Sequence, residues 1–124
     1  MKYVDGFVLA VSKDKLEDYR KFAQKAGEIW KKHGALEYFE CVGDDMKPHA
    51  PGEECETLTF PGLINAKENE EIIFAFIVFE SREHRDEVNK KVMNDPEMEN
   101  HEMKETPFDV KRMAWGGFKS IVEE

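Results

Sequence analysis

Along this chain the spacing of apolar residues changes from strand-like to helical and back, twice in the same order. YVDGFVLAV, from Tyr3 to Val11, is rich in the β-branched and aromatic residues that suit a pleated strand. From about Asp14 to Lys32 the period lengthens: Leu16, Tyr19, Phe22, Ala23, Ala26, Ile29 and Trp30 recur three and four residues apart, forming one apolar stripe of a helix. Ser12 is placed to cap this helix, and Gly34 to stop it after Lys31, Lys32 and His33, whose side chains suit the negative end of the helix dipole. Leu36 to Val42 reads as a second strand. The second round is EEIIFAFIVFE, then a helix from about Arg82 to Asn94 capped by Ser81 with Val88, Val92 and Met93 on its buried side, then a last strand from Met113 to Val122. A bulge is expected at Gly116–Gly117. Between the rounds, residues 46–69 hold Pro48, Pro51, Gly52, Pro61 and Gly62, which break any long element and mark an irregular insertion between strands two and three. Glu97 to Phe108 reads as polar and irregular, with His101, Glu102, Glu97 and Glu99 in a solvated acidic loop. The whole, residues 1–124, reads as one domain with one sheet and both helices on one face.

The third strand constrains the surfaces of that sheet. Side chains alternate faces along a strand, so Ile72, Phe74, Phe76 and Val78 share one face and Ile73, Ala75, Ile77 and Phe79 the other. Both sets are apolar, so both faces require cover, and two helices supply only one. Leaving four large apolar side chains in water would forgo roughly 1.5–3 kcal/mol each. A second copy packed sheet to sheet is the preferred cover, ahead of the 46–69 loop or the C-terminal tail. The small residues Gly6, Ala10, Ala75, Ala114 and Gly116 mark the face that helices can approach; the opposite face is then expected to carry Tyr3, Asp5, Phe7, Phe74, Phe76, Met113 and Trp115.

Composition narrows the partners. Hydrophobic residues make up 40% of 124 positions, enough for a core without a disulfide or metal. The formal charge of −9 disfavours nucleic acid and anionic membrane surfaces, which need clustered Lys and Arg. No run of about 18 apolar residues and no apolar leader is present, so the chain is expected to be cytoplasmic, with Cys41 and Cys55 reduced.

Several residues could carry chemistry. Asp5 lies within an apolar strand, where a carboxylate needs a cation or several donors, or else its pKa rises. It is either a general base or ligand anchor, or half of a structural ion pair with Arg112 in the last strand. Glu40, sharing its phase with Tyr38, is a second carboxylate that could face inward beside Asp5 or simply face water. Trp115 could line a ligand pocket with its indole N–H as a polar handle, or act as an interface aromatic. Arg82 and Arg85 could clamp an anion or pair with an acid such as Asp109. The histidines at 33, 49, 84 and 101 have no metal-ligand spacing, and His49 with Cys55 and Cys41 is too irregular for zinc, so no metal is expected. There is no GxGxxG, Walker A or GxSxG motif, and no cofactor is expected.

Four stretches carry a family resemblance: YVDGFVLAV; the Gly34-Ala35-Leu36 turn leading into ECVGDD; the segment from Phe76 through ESREHRDEVNKKVMNDPEM; and the ending PFDVKRMAWGGFKSIVEE. In these the chain resembles the YbaA-like family, a small bacterial family of unknown function in the dimeric α+β barrel superfamily. The resemblance implies a ferredoxin-like βαββαβ fold, an antiparallel sheet with two helices on one face, and a homodimer with a cavity between sheets. It brings no catalytic residues. The reading that follows is a homodimer binding a small apolar or aromatic molecule between its sheets, with Asp5, Tyr38, Glu40, Arg112 and Trp115 as candidate ligand contacts. A cofactor-independent monooxygenase- or isomerase-like enzyme with Asp5 as base, and an interaction module with a filled interior, are the alternatives.

Overall fold

In the computed structural model, which describes residues 1–48, 52, 56–102 and 106–124, the two rounds build one antiparallel sheet. The strands are β1 (Tyr3–Ser12), β2 (Glu37–Val42), β3 (Glu70–Phe79) and β4 (Ala114–Lys119), in spatial order β2-β3-β1-β4. Helix α1 (Leu16–Lys32) connects β1 to β2, and α3 (Arg82–Met93) lies between β3 and β4 in the chain. Among the described residues two shorter helices follow: α2 (Phe60–Leu63) in the insertion and α4 (Pro96–Glu102) after α3. Helix α2 is one turn, capped by the Thr59 hydroxyl, which accepts from the Gly62 N–H. Ser81 caps α3 as expected, accepting from the His84 N–H at 3.0 Å. Ser12 makes no such bond; a 3₁₀ turn at Lys13–Lys15 intervenes before α1.

The antiparallel register decides which side chains share a face. Tyr3 stands opposite Phe79, Asp5 opposite Ile77 and Phe7 opposite Ala75; on the other side of β1, Asp5 faces Gly117 and Phe7 faces Trp115. In β2, Tyr38 pairs with Ile77 and Glu40 with Ala75. Directly opposed residues lie on the same side of a sheet. Asp5, Tyr3, Phe7, Trp115, Tyr38 and Glu40 therefore all lie on the side that also carries Ile73, Ala75, Ile77 and Phe79. That is the helix-covered side, where Ile77 and Phe79 pack with Ile29, Val88 and Val92, and Leu9 and Ala75 with Tyr19 and Ala23.

This corrects the expected assignment of faces. Phe74 and Phe76 belong with Gly6, Ala10, Ala114 and Gly116 on the open side, and Asp5, Tyr3, Phe7 and Trp115 face the helices. Of the small residues, Ala75 alone lies on the helix side. The glycines have another cause: the Phe118 ring lies over both Gly6 and Gly116 on the open side, 3.5 and 3.4 Å from where a Cβ would stand. Gly117 is needed on the helix side, where a Cβ would come within 2.5 Å of the Tyr3 hydroxyl. The two glycines admit aromatic rings, and the β1–β4 register runs through them without a bulge. Met113 ends a 3₁₀ turn and packs on the core instead of opening β4.

The open side is an aromatic surface. Phe39 and Phe76 stack at 5.1 Å, Phe74 lies 6.0 Å from Phe76, and α2 sets Phe60 against Phe74. Phe39, Phe74 and Phe118 nevertheless remain 48%, 44% and 63% exposed, so α2 covers only a corner.

The segment expected to be an acidic loop is partly the helix α4, with Met98 and His101 buried and His101 stacked on Phe22 at 4.1 Å. Met93, expected on the buried side of α3, is exposed.

Candidate functional site

The site is centred on Glu40, placed by the alternation of β2 on the helix-facing side beneath α1. The α1 stripe brings Tyr19 down onto it. The Tyr19 hydroxyl donates to Glu40 Oε1 at 2.7 Å and the Tyr38 hydroxyl donates to Oε2 at 2.6 Å. Each carboxylate oxygen thus accepts one phenol. Burial raises the Glu40 pKa, and the two phenol hydrogen bonds act against that rise. The same burial and the adjacent carboxylate push both phenols far above their ordinary values, so they act as hydrogen-bond donors.

Glycine at 27 lets α1 come this close. A Cβ there would sit 2.8 Å from Tyr38 Cδ1, so only a glycine lets the helix lie on the ring. Trp30, one turn further, flanks Tyr38 at 6.3 Å between centroids, and its indole N–H donates to Asn89 Oδ1 at 3.0 Å.

Two spaces meet at this triad. A groove of about 630 Å³ runs between α1 and the edge strand β2, floored by Leu16, Ala23, Gly27, Val42 and Ile73. An inner cavity of about 250 Å³ lies between sheet and helices, walled by Phe7, Phe22, Ala26, Trp30 and Phe108. Tyr19, Tyr38 and Glu40 line both, forming the partition between them.

Asp5 belongs to a separate polar cluster beneath α3. It is 2% exposed, and Arg85 Nη1 stands 3.7 Å from Oδ1, which accepts no hydrogen bond among the described residues. Burial raises its pKa, while Arg85 and a hydrogen bond from Asn89 pull it down. Arg85 also donates to the Tyr3 hydroxyl at 3.2 Å, and its guanidinium lies over the rings of Tyr3 (4.9 Å) and Trp115 (5.9 Å). The partner of Asp5 is therefore Arg85, not Arg112, and the acids beside Arg85 are Asp5 and Asp86, not Asp109. Arg112 grips Glu70 through two bonds, at 2.7 and 2.9 Å, and holds the Glu70 carboxyl down at about 2.

Of the five candidate residues, Tyr38 and Glu40 come together at the cavity. Asp5 shares a row of the sheet with Tyr38 but lies two strands away, about 10 Å at ordinary strand spacing. Trp115 stands on the edge strand, 55% exposed, and Arg112 at the insertion. Sequence reasoning gives Tyr19 no site role, and it gives Arg85 an acidic partner, Asp109 or another acid, without pointing to Asp5. A signal for Tyr19 existed: a tyrosine in a buried stripe needs an acceptor for its hydroxyl. Among the described residues, no group of three or more His, Cys, Asp and Glu is placed to hold a metal, and no helix is long and apolar enough to cross a membrane. His49 and Cys55 lie outside the described residues; Cys41 is exposed and free.

Four antiparallel strands in the order β2-β3-β1-β4, with both long helices on one side, define a ferredoxin-like α+β protein. Within that class, the chain belongs to the family described as protein of unknown function (DUF1428), whose family model matches residues 2–110. It is 45% identical over 125 residues to the uncharacterized protein YbaA of Escherichia coli (strain K12), with 100% of both chains covered, and to the same degree to YbaA of Shigella flexneri. A solved structure, that of Rv0793 from Mycobacterium tuberculosis, superposes with a TM-score of 0.53 at 13% identity, covering 99% of this chain and 98% of that one. That likeness concerns the fold alone.

Proposed function

We propose that this protein binds a small aromatic or apolar molecule in the space between its sheet and α1, and that two copies pair through their open sheet faces. The observation carrying the first part is the Tyr19–Glu40–Tyr38 partition, a polar anchor set between a 630 Å³ groove and a 250 Å³ aromatic cavity. Ligand sites combine apolar walls with a few convergent polar groups, and this arrangement has that form. The inner cavity falls just below the usual range for drug-sized ligands, which favours an occupant of about one ring. Tyr38 and Glu40 are the contacts carried forward from the sequence; Tyr19 joins them.

The reading places the ligand under the helices instead of between sheets. Val4, Val8, Phe39, Phe74, Phe76 and Phe118 form an apolar centre on the open side, with Glu37 and Cys41 of β2 on the same face, which suits a contact filled by side chains. The exposure of Phe39, Phe74 and Phe118 supports pairing there, because apolar patches of this kind mark interaction surfaces. An enzyme using Asp5 as base has less support: its carboxylate is 2% exposed and engaged by Arg85 and Asn89.

Calorimetric titration with benzyl alcohol, compared between the wild type and Ala26→Leu, tests the cavity. Ala26 lines the inner space and is 7% exposed, so a larger side chain occupies part of it. The expected result is saturable binding to the wild type and none to the variant, with circular dichroism unchanged. Equal binding by both would place the ligand elsewhere.

A further inference from the structure

We infer that the ligand class of this cavity is a small organic cation, an alkyl- or arylammonium whose charge meets Glu40 and whose carbon body packs among the surrounding rings. The inference rests on the cavity reading above and goes on to specify the charge of the occupant. Its first support is the bonding of Glu40. Both carboxylate oxygens accept a phenol, yet each retains acceptor capacity, since a carboxylate has about four lone-pair sites. Both phenol protons are already directed at Glu40. An incoming carbonyl or carboxylate would find no donor at the triad, whereas an ammonium N–H would find an acceptor.

The second support is the make-up of the lining among the described residues. No Lys or Arg is among the described residues lining the inner cavity; its titratable groups besides Glu40 are Tyr19, Tyr38 and His101, the last stacked on Phe22. Among the described residues lining the groove there are two cations, Arg20 and Lys31, and both bond to other groups. Arg20 bonds Glu17 through its Nε and Nη2 atoms and Gln24 through Nη1, and Lys31 Nζ donates to the Leu36 carbonyl at 2.8 Å. Burial raises the Glu40 pKa, and among the described residues the two phenols, not a cation, oppose that rise, in contrast to Asp5 with its Arg85. A carboxylate partly withdrawn from water gains from a positive partner, and a ligand can supply one.

The third support is the wall itself. Phe7, Tyr19, Phe22, Trp30, Tyr38 and Phe108 surround the inner space, and the faces of such rings attract cations. The rings are turned against one another, Tyr19 and Phe22 each edge-on to Phe108 at 5.6 and 5.8 Å, so an occupant meets both ring edges and ring faces. At long range the formal charge of −9 raises the local concentration of cations.

Three probes of similar shape and different charge test the inference: benzylammonium, benzyl alcohol and benzoate, titrated calorimetrically at neutral pH and moderate salt. Benzylammonium is expected to bind at least about tenfold more tightly than benzyl alcohol, with benzoate weakest. Glu40→Gln should bring the ammonium down to the level of the alcohol. Tyr38→Phe, which keeps the carboxylate and frees one of its lone pairs, should retain the preference, and it serves if the glutamine variant does not fold. If the alcohol binds as well as the ammonium and loses binding in Ala26→Leu, the cavity reading stands and the cation inference falls. If the ammonium preference survives Glu40→Gln, it comes from general surface charge and the inference also falls. If none of the three binds, the cavity reading itself fails.

Discussion

Replacing Arg85 by methionine separates a structural role of Asp5 from a chemical one. In the wild type the guanidinium stands 3.7 Å from Asp5 Oδ1, with side-chain exposures of 11% and 2%. At an effective dielectric constant near 20, a pair at that separation attracts with about 4.5 kcal/mol, and deleting one partner of a buried pair costs about 3–5 kcal/mol. The loss has a ceiling, because an unpaired Asp5 can take up a proton. At about pH 7 that costs an ordinary carboxylate roughly 4 kcal/mol, and at about pH 5 only roughly 1.5. The sign follows from linkage. Asp5 has a raised pKa in the folded protein, and removing Arg85 raises it further. Stability tied to a raised carboxylate is fully present in acid and is lost as pH rises from the unfolded value through the folded one. Arg85→Met should therefore lie about 3 kcal/mol below the wild type at pH 7 and within about 1–2 kcal/mol at pH 5. Adding Asp5→Asn should remove that pH dependence, leaving a constant loss from the ring contacts with Tyr3 and Trp115. Urea denaturation of the four proteins of this cycle at both pH values measures the terms. A penalty for Arg85→Met that is the same at pH 5 and pH 7 would refute the pairing.

Other perturbations reach other parts of the account. Phe74→Glu places a charge on the open sheet face. In a twofold contact the substitution counts twice, so sedimentation equilibrium should show dimer affinity weakened at least about 100-fold; unchanged sedimentation would exclude that face as the contact. Gly27→Ala gains helix propensity but drives a methyl group to 2.8 Å from the Tyr38 ring; a net loss of about 1–2 kcal/mol is expected in thermal melts, and a gain would mean that Tyr38 is not held in place. Asp95 accepts from His33 at 2.6 Å and pairs with Lys32 at 2.9 Å, which hold its carboxyl well below the usual range. Its contribution is present above the ordinary carboxylate pKa and is lost as pH falls toward the folded value, so Asp95→Asn should destabilise at neutral pH and match the wild type in strong acid.

Local chemistry made the elements legible. The β-branched run of β1, the apolar stripe of α1 and the Ser81 cap each depend on neighbours in sequence, and each stands where the pattern put it. Pairing across the sheet is another matter. The β1–β3 register couples residues 58 to 76 positions apart, and the small residues mislead about the phase because Gly6 and Gly116 accommodate Phe118 instead of a helix. Helix α4 is hard to read from sequence because PEMENHE is short and polar, and Met98 and His101 are its buried positions among those described. At the candidate site, the shared phase of Tyr38 and Glu40 was visible in β2. Tyr19 reaches Glu40 from 21 positions earlier, a contact that only the docking of α1 creates.

The chain has two tryptophans, which makes the central claim directly measurable. Trp30 lines the inner cavity, and Trp115 lies on the edge strand beside Arg85. Their indole N–H signals can be followed in a nitrogen–proton correlation spectrum during titration with benzylammonium. The account predicts that the Trp30 signal moves saturably while that of Trp115 stays in place. Movement of Trp115 alone, or of neither, would contradict a binding site under α1.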